Sequence, residues 1–146
     1  KNKEDSIIYW CYKNNIPVIL PGPLDSSWGW QLYYFWQDEH KDFNLNLMKD
    51  EDVISDLIYS ADKTGALMIG GGISKHHTIW WNQFRGGLDY AVYITTAPEW
   101  DGSLSGARIR EAISWGKVRE DADFITIEGD ATVILPIMIS SLLEVI

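Results

Sequence analysis

Cysteine is almost missing: Cys11 is the single one in 146 residues. An internal disulfide is therefore excluded, a thiolate metal site is argued against, and the pattern fits a reducing, cytoplasmic setting. Histidine is scarce as well. His40, His76 and His77 are the full set, and with no further His/Cys cluster no metal site is expected. Basic residues are outnumbered, 12 against 21 acidic ones, for a net charge of −9. Such a chain repels nucleic acid and anionic membranes and attracts cations. No apolar run is long enough to span a bilayer. The longest, 131–143, is interrupted by Pro136 and by Ser140 and Ser141, and it reads as a buried helix. There is no signal-peptide pattern, and the first residue is Lys1 rather than Met, as in a fragment or a processed product.

Apolar residues make up 46% and charged residues 23%, an ordinary globular balance, and the length suits one domain over 1–146. Eight tryptophans supply ample aromatic surface for a core or a pocket. Short apolar runs at 16–20, 43–47, 66–70, 90–95 and 124–128 read as strands. Between them lie helical patterns. Val53, Ile54, Leu57, Ile58 and Ala61 share one helix face, and Trp28, Leu32, Phe35 and Trp36 share another. Asp5 is placed to cap a helix running to Asn14, and Asp130 to cap the last one. Helices alternating with nearly continuous apolar strands imply an α/β fold, with a mostly parallel sheet covered on both faces.

In such sheets ligands bind beyond the carboxyl ends of the strands. The segments that follow the strands are "PGPLDSSWGW" (21–30), "GGGISKHH" (70–77), "TAPEWDGSLSGAR" (96–108) and "GDAT" (129–132), all rich in Gly, Ser, His and Asp. The glycines of "GGGISKHH" permit close backbone approach at a helix start, although the spacing is neither a dinucleotide fingerprint nor a P-loop. His76 and His77 point about 100° apart on a helix and cannot easily share a metal; one of them is a candidate proton carrier, against a structural role. Residues 107–115 read as a helix with Ile109, Ala112 and Ile113 facing the core and Arg108, Glu111 and Trp115 on another face. A carboxylate one turn from an indole is a seat for an alkylammonium group, or else a solvated Glu beside a packed Trp. Lys117 is either a surface charge or a desolvated amine able to form a Schiff base. Trp80 and Trp81 are expected to pack, and the acids of "REDAD" (119–123) to form a solvated turn before a strand.

"GGGISKHH", "GLDYAVYITTA", "DGSLSGARIREAISWGKVREDA" and "GDAT", in that order and at those intervals, resemble the deoxyhypusine synthase family. The resemblance extends to "NNIPVILPGPLDSS" and covers nearly the whole chain; "KHHTIWWNQF" is similar to archaeal members. It implies a doubly wound, Rossmann-like, NAD-dependent fold, of which this chain is the C-terminal, catalytic-lysine portion and so incomplete relative to the family. Members work as tetramers built from tight dimers. They transfer the aminobutyl group of spermidine, through a lysine imine, to one lysine of a translation factor precursor. By resemblance Lys117 is the imine-forming lysine, and His76 is a proton acceptor beside the substrate. Glu111, Trp115, Gly71, Gly102 and Ser103 match polyamine-tunnel positions. Asp25, Thr96, Ala97, Asp130 and Ala131 match positions that touch NAD. Better-known members carry aspartates where this chain has Trp30 and Leu104, which removes two charge partners for a polyamine and opens the donor to a related amine. The family's first nucleotide-binding segment is absent, so a homo-oligomer or a companion chain is expected to supply it. The competing expectations are homospermidine synthase-like transfer to a small diamine and a catalytically weak regulatory subunit.

Overall fold

The computed structural model describes residues 2–146, which group into two compact units, one ending at Ser55 and one running Asp56–Ile146. The first unit holds helices α1 (Ile7–Lys13) and α2 (Ser27–Gln37) and most of α3 (Leu47–Ser60). Asp5 does not cap α1. It lies in a short 3₁₀ turn, Lys3–Asp5, closed by Asn2, and Ser6 precedes the helix without a side-chain cap bond. A 3₁₀ turn at Pro23–Asp25 leads into α2, where Ser26 caps by accepting from the Gly29 N–H at 3.0 Å. Gly29 is needed there, because a Cβ would fall 1.7 Å from the Pro23 carbonyl oxygen. The aromatic rings of α2 pair with one another, Trp30 stacking on Tyr33 at 5.8 Å and meeting Tyr34 edge-on at 4.9 Å, yet all three remain exposed.

The second unit is an α/β arrangement around a three-stranded parallel sheet of order β1-β2-β3, formed by β1 (Gly65–Ile69), β2 (Leu88–Thr95) and β3 (Val118–Glu128). Helix α4 (Ile73–Gln83) follows β1 and touches all three strands, while α5 (Ala131–Leu143) follows β3 and touches β2. This is a partial Rossmann-like fold, as the alternation of helix and strand implies. Register pairs Met68 with Tyr93 and Ala91 with Phe124. Met68, Ala91 and Tyr93 then share a core with Ile79 of α4, Leu88, Ile109, Ala112 and Val118. At the amino end of the sheet, Asp89 accepts from the Thr64 N–H and from Arg85, both at 2.8 Å, and those bonds hold its carboxyl below the usual range.

Besides the Asp5 cap, four expectations are corrected. Residues 16–20 and 43–47 are not strands, since a strand persists by pairing and neither segment has a ladder partner among the described residues. Residues 119–123 are not a turn but the opening of β3. There β3 advances from Val118 to Asp123 while β2 advances only from Leu88 to Tyr90, and this irregularity lets a charged run ride on an edge strand. Residues 107–115 form no α-helix, only a 3₁₀ turn at Ile109–Ala112 followed by turns. Ile109 and Ala112 are buried three residues apart, the 3₁₀ period, and Gly116 at φ 66° reverses the chain. Finally, α5 is a helix capped by Asp130 as expected but contains no buried residue; Val133 and Ile137 are well exposed. No helix among the described residues is long and apolar enough to cross a membrane.

Leu88 is 1% exposed where β2 meets the start of β3, with the Leu88 N–H bonded to the Lys117 carbonyl at 3.1 Å. Leu88→Ala is expected to lower the unfolding free energy by about 2–5 kcal/mol, read by urea denaturation.

Candidate active site

The backbone bonds within the loop from β2 to β3 close short local turns, such as Ala107 N–H to the Ser103 carbonyl at 3.0 Å, and side chains tie those turns to the sheet. Tyr93 Oη donates to the Ser105 carbonyl at 2.6 Å, and Thr95 Oγ1 donates to the same oxygen at 3.1 Å. Gly71, in the β1–α4 turn, presses its backbone on the loop: a Cβ there would lie 2.2 Å from Ser105 Oγ. Gly102, at φ 68°, turns the chain, and Ser103 Oγ accepts from the Gly106 N–H at 2.9 Å. Arg108 then binds Glu128 at 2.6 Å and reaches Glu99, which also pairs with Arg110. These contacts fix the point from which Glu111 departs.

A cavity of about 200 Å³ opens beside this loop, and Glu111, Trp115 and Lys117 line it together. The Glu111 carboxylate accepts from the Arg108 N–H at 3.2 Å. Lys117 is half-buried, its Nζ 5.7 Å from the centre of the exposed Trp115 ring. The lysine is delivered by the Gly116 reversal, with its own N–H bonded to the Ala112 carbonyl at 3.0 Å, and it enters β3 at once. A carboxylate, an indole face and a primary amine in one small cavity can hold an alkylammonium group beside a nucleophile.

The residue that sequence reasoning missed in this cavity is Lys75. It is 5% exposed on α4, and its Nζ donates to the carbonyls of Leu104, at 3.1 Å, and Ala107. The same nitrogen stands 3.9 Å from the centre of the Tyr93 ring. Burial pushes the Lys75 amine down from 10.5 to about 8, with Glu111 opposing the shift and Arg108 adding to it. The available signal was its spacing: Lys75, Ile79 and Asn82 stand at i, i+4 and i+7 and are the buried residues of α4. His76, the next residue, is half-buried but is not among the residues lining the cavity. Gly102 and Ser103 likewise shape the loop without lining it.

A second cavity, of about 270 Å³, lies at the carboxyl ends of all three strands. Thr96, Asp130 and Ala131 line it with Gly70 and Gly129, whose N–H groups continue the sheet by donating to Ile94 and Thr95. Asp130 accepts from the hydroxyl and the N–H of Thr132, which lower its carboxyl and keep it anionic. Ala97 is adjacent, donating its N–H to Thr95 Oγ1 at 3.1 Å, but does not line this space. Asp25 belongs to the first unit, at the end of the Pro23–Asp25 turn. A carboxylate at the start of α5 suits sugar hydroxyls better than phosphate. Gly70 and Gly72, with positive φ and open space where a Cβ would stand, leave backbone accessible at the start of α4. Those features fit a dinucleotide.

Fold and site together define an α/β protein with a lysine–carboxylate–indole cavity on one loop and a second cavity beyond its parallel strands. A family model described as deoxyhypusine synthase matches residues 1–142, and the chain belongs to that family. It is 63% identical over 142 residues to a protein of Thermoplasma acidophilum named "Probable deoxyhypusine synthase", covering 97% of this chain and 46% of that protein. Proteins of the same name from Picrophilus torridus and Sulfolobus acidocaldarius are 64% and 58% identical, each over 98% of this chain and over 46% and 45% of the relative. The chain thus spans a little under half the length of the curated relatives it matches.

Lys75 gives the site a pH signature. Below pH 8 the folded state carries a charge that burial disfavours. Between about 8 and 10.5 the unfolded chain holds more protons than the folded one, so stability rises with pH across that window. Relative to Lys75→Met, the unfolding free energy should climb with pH across the window, measured by denaturant titration at stepped pH.

Proposed function

We propose that this chain is the catalytic-lysine portion of an NAD-dependent aminoalkyl transferase. It takes an aminobutyl or related group from spermidine or a similar amine and passes it, by way of a lysine imine, to a lysine of a translation factor precursor. The observation that carries the reading is the convergence of Lys117, Glu111 and Trp115 on one cavity. The reading places the chain in the cytoplasm, within a homo-oligomer or beside a companion chain that supplies the rest of the family's domain.

Thr96, Asp130 and Ala131, with Ala97 beside them and Asp25 from the first unit, are the residues assigned to NAD. Hydride acceptance from the amine carbon, and its later return, is the chemistry NAD supplies when bound. The chain's own residues do the rest. Glu111 pairs with an ammonium of the donor, and the Trp115 face covers its alkyl stem. Lys117, as the free amine, attacks the oxidised carbon; a new C–N bond forms, the bond from that carbon to the donor's own nitrogen breaks, and that nitrogen leaves as an amine with the proton Lys117 gives up. His76 is assigned the proton released in the oxidation. It stands outside the Lys117 cavity, so this assignment requires the substrate to extend toward α4. Leu104 contributes to the cavity wall with an apolar side chain, which favours a donor carrying fewer charges at that end.

Intact-mass spectra of the purified assembly, taken after NAD, spermidine or a shorter diamine, and borohydride, test the proposal. A mass gain that maps to Lys117 and vanishes in Lys117→Ala, with the circular dichroism unchanged, is expected. No gain with any amine, in an assembly that binds NAD, overturns it.

A further inference from the structure

Lys75 is doing more than filling space on α4. An apolar side chain there would satisfy the core but would leave the Leu104 and Ala107 carbonyls without the bonds they now make. Partly buried carbonyls that lose their partner cost free energy. An ammonium has three donors and no acceptor. Two are directed at carbonyls of one loop, and the nitrogen also lies 3.9 Å from the centre of the Tyr93 ring, so the group meets two oxygens and a π face at once. Tyr93 and Thr95 take the carbonyl between those two, that of Ser105. Carbonyls 104, 105 and 107 are therefore held by side chains of α4 and β2 rather than by a ladder. The loop they belong to runs straight into Arg108, whose N–H fixes the Glu111 carboxylate. Lys75 also lines both the Lys117 cavity and a smaller one of about 110 Å³ along β1, which shares Ile69 and Gly70 with the cavity at the strand ends. It stands where the amine side and the cofactor side of the proposed site approach each other.

We propose that Lys75 is a positioning residue: its ammonium clamps the 104–107 segment to α4 and Tyr93 and so holds the Glu111–Trp115 wall at a set distance from Lys117. Its link to catalysis rests on the function proposed above, whereas the clamp rests on geometry alone. A site held loosely binds its ligand poorly and places it worse.

The test is hydrogen exchange on the purified assembly, joined to borohydride trapping at Lys117 over a range of amine concentrations. In Lys75→Met the amides of 103–108 are expected to exchange about tenfold faster or more, with those of β2 unchanged. Half-maximal trapping should then require several times more amine, with a smaller loss in the maximal rate. Lys75→Arg, which keeps a cation and its donors, should recover part of both. Unchanged exchange at 103–108 together with an unchanged amine dependence in Lys75→Met overturns the proposal. If that variant does not fold, nitrogen-15 lysine labelling of the native chain decides. Ammonium protons on Lys75 that exchange more slowly than those of the other lysines support the clamp, and equal rates overturn it. Should the native assembly trap no amine at all, the transferase reading falls, while the exchange data still decide the clamp.

Discussion

Tyr93 sits at the centre of the second unit with no exposed surface, its ring under the Lys75 ammonium and its hydroxyl spent on the Ser105 carbonyl. That arrangement ties the most regular part of the unit, the middle strand of a parallel sheet, to its least regular part, the loop before β3. Ordering a long loop is entropically costly, and the backbone bonds within this one only close short local turns. Side chains from β2 and α4 supply what the backbone does not. The contact at Gly71 adds a steric limit, since the β1–α4 turn can approach the loop so closely only without a side chain. The positions of Arg108, Glu111 and Lys117 follow from that attachment.

Electrostatics within the same unit are arranged in two groups. Arg85, Asp89, Arg119 and Asp121 form a linked set at the amino end of the sheet. Arg108, Arg110, Glu99 and Glu128 form another beyond the carboxyl ends. Both are at least partly exposed, and their worth lies more in orienting loops than in net stability. Lys75 differs from all of them. Its ammonium bonds backbone carbonyls and faces an aromatic ring, and burial is the largest cause of its lowered pKa, with Glu111 opposing and Arg108 adding to the shift.

Apolar surface is distributed in a way that burial of the core does not explain. Helix α5 is apolar almost all round yet has no buried residue, and Leu67, Ile69 and Ile125 leave part of the sheet exposed. A helix of that composition ordinarily lies inside a protein. The chain also spans a little under half the length of its curated relatives, and the rings of α2 in the first unit are exposed in the same way.

The three strands, the helix cap at Asp130 and the sense of the sheet follow from local pattern, because β-branched runs and capping side chains act over a few residues. The family, too, was legible, in motifs such as "SWGK" and "GGGISKHH". Pairing was not. Residues 16–20 have strand composition without a partner, and 119–123 have turn composition inside β3, since ladders are made between segments rather than within them. Glu111, Trp115 and Lys117 could be grouped from their spacing, although the helix invoked to group them is a 3₁₀ turn and a glycine reversal. Spacing with Ile79 and Asn82 could place Lys75 on one face of α4 but not name what it bonds, because its partners, Leu104, Ala107 and Tyr93, lie 18 to 32 positions away and meet it only once α4 has packed on β2. The sequence by itself determined which chemistry is carried and on which local elements. Tertiary structure decided which amine is buried and which carbonyls receive it, because desolvation depends on everything that surrounds a group.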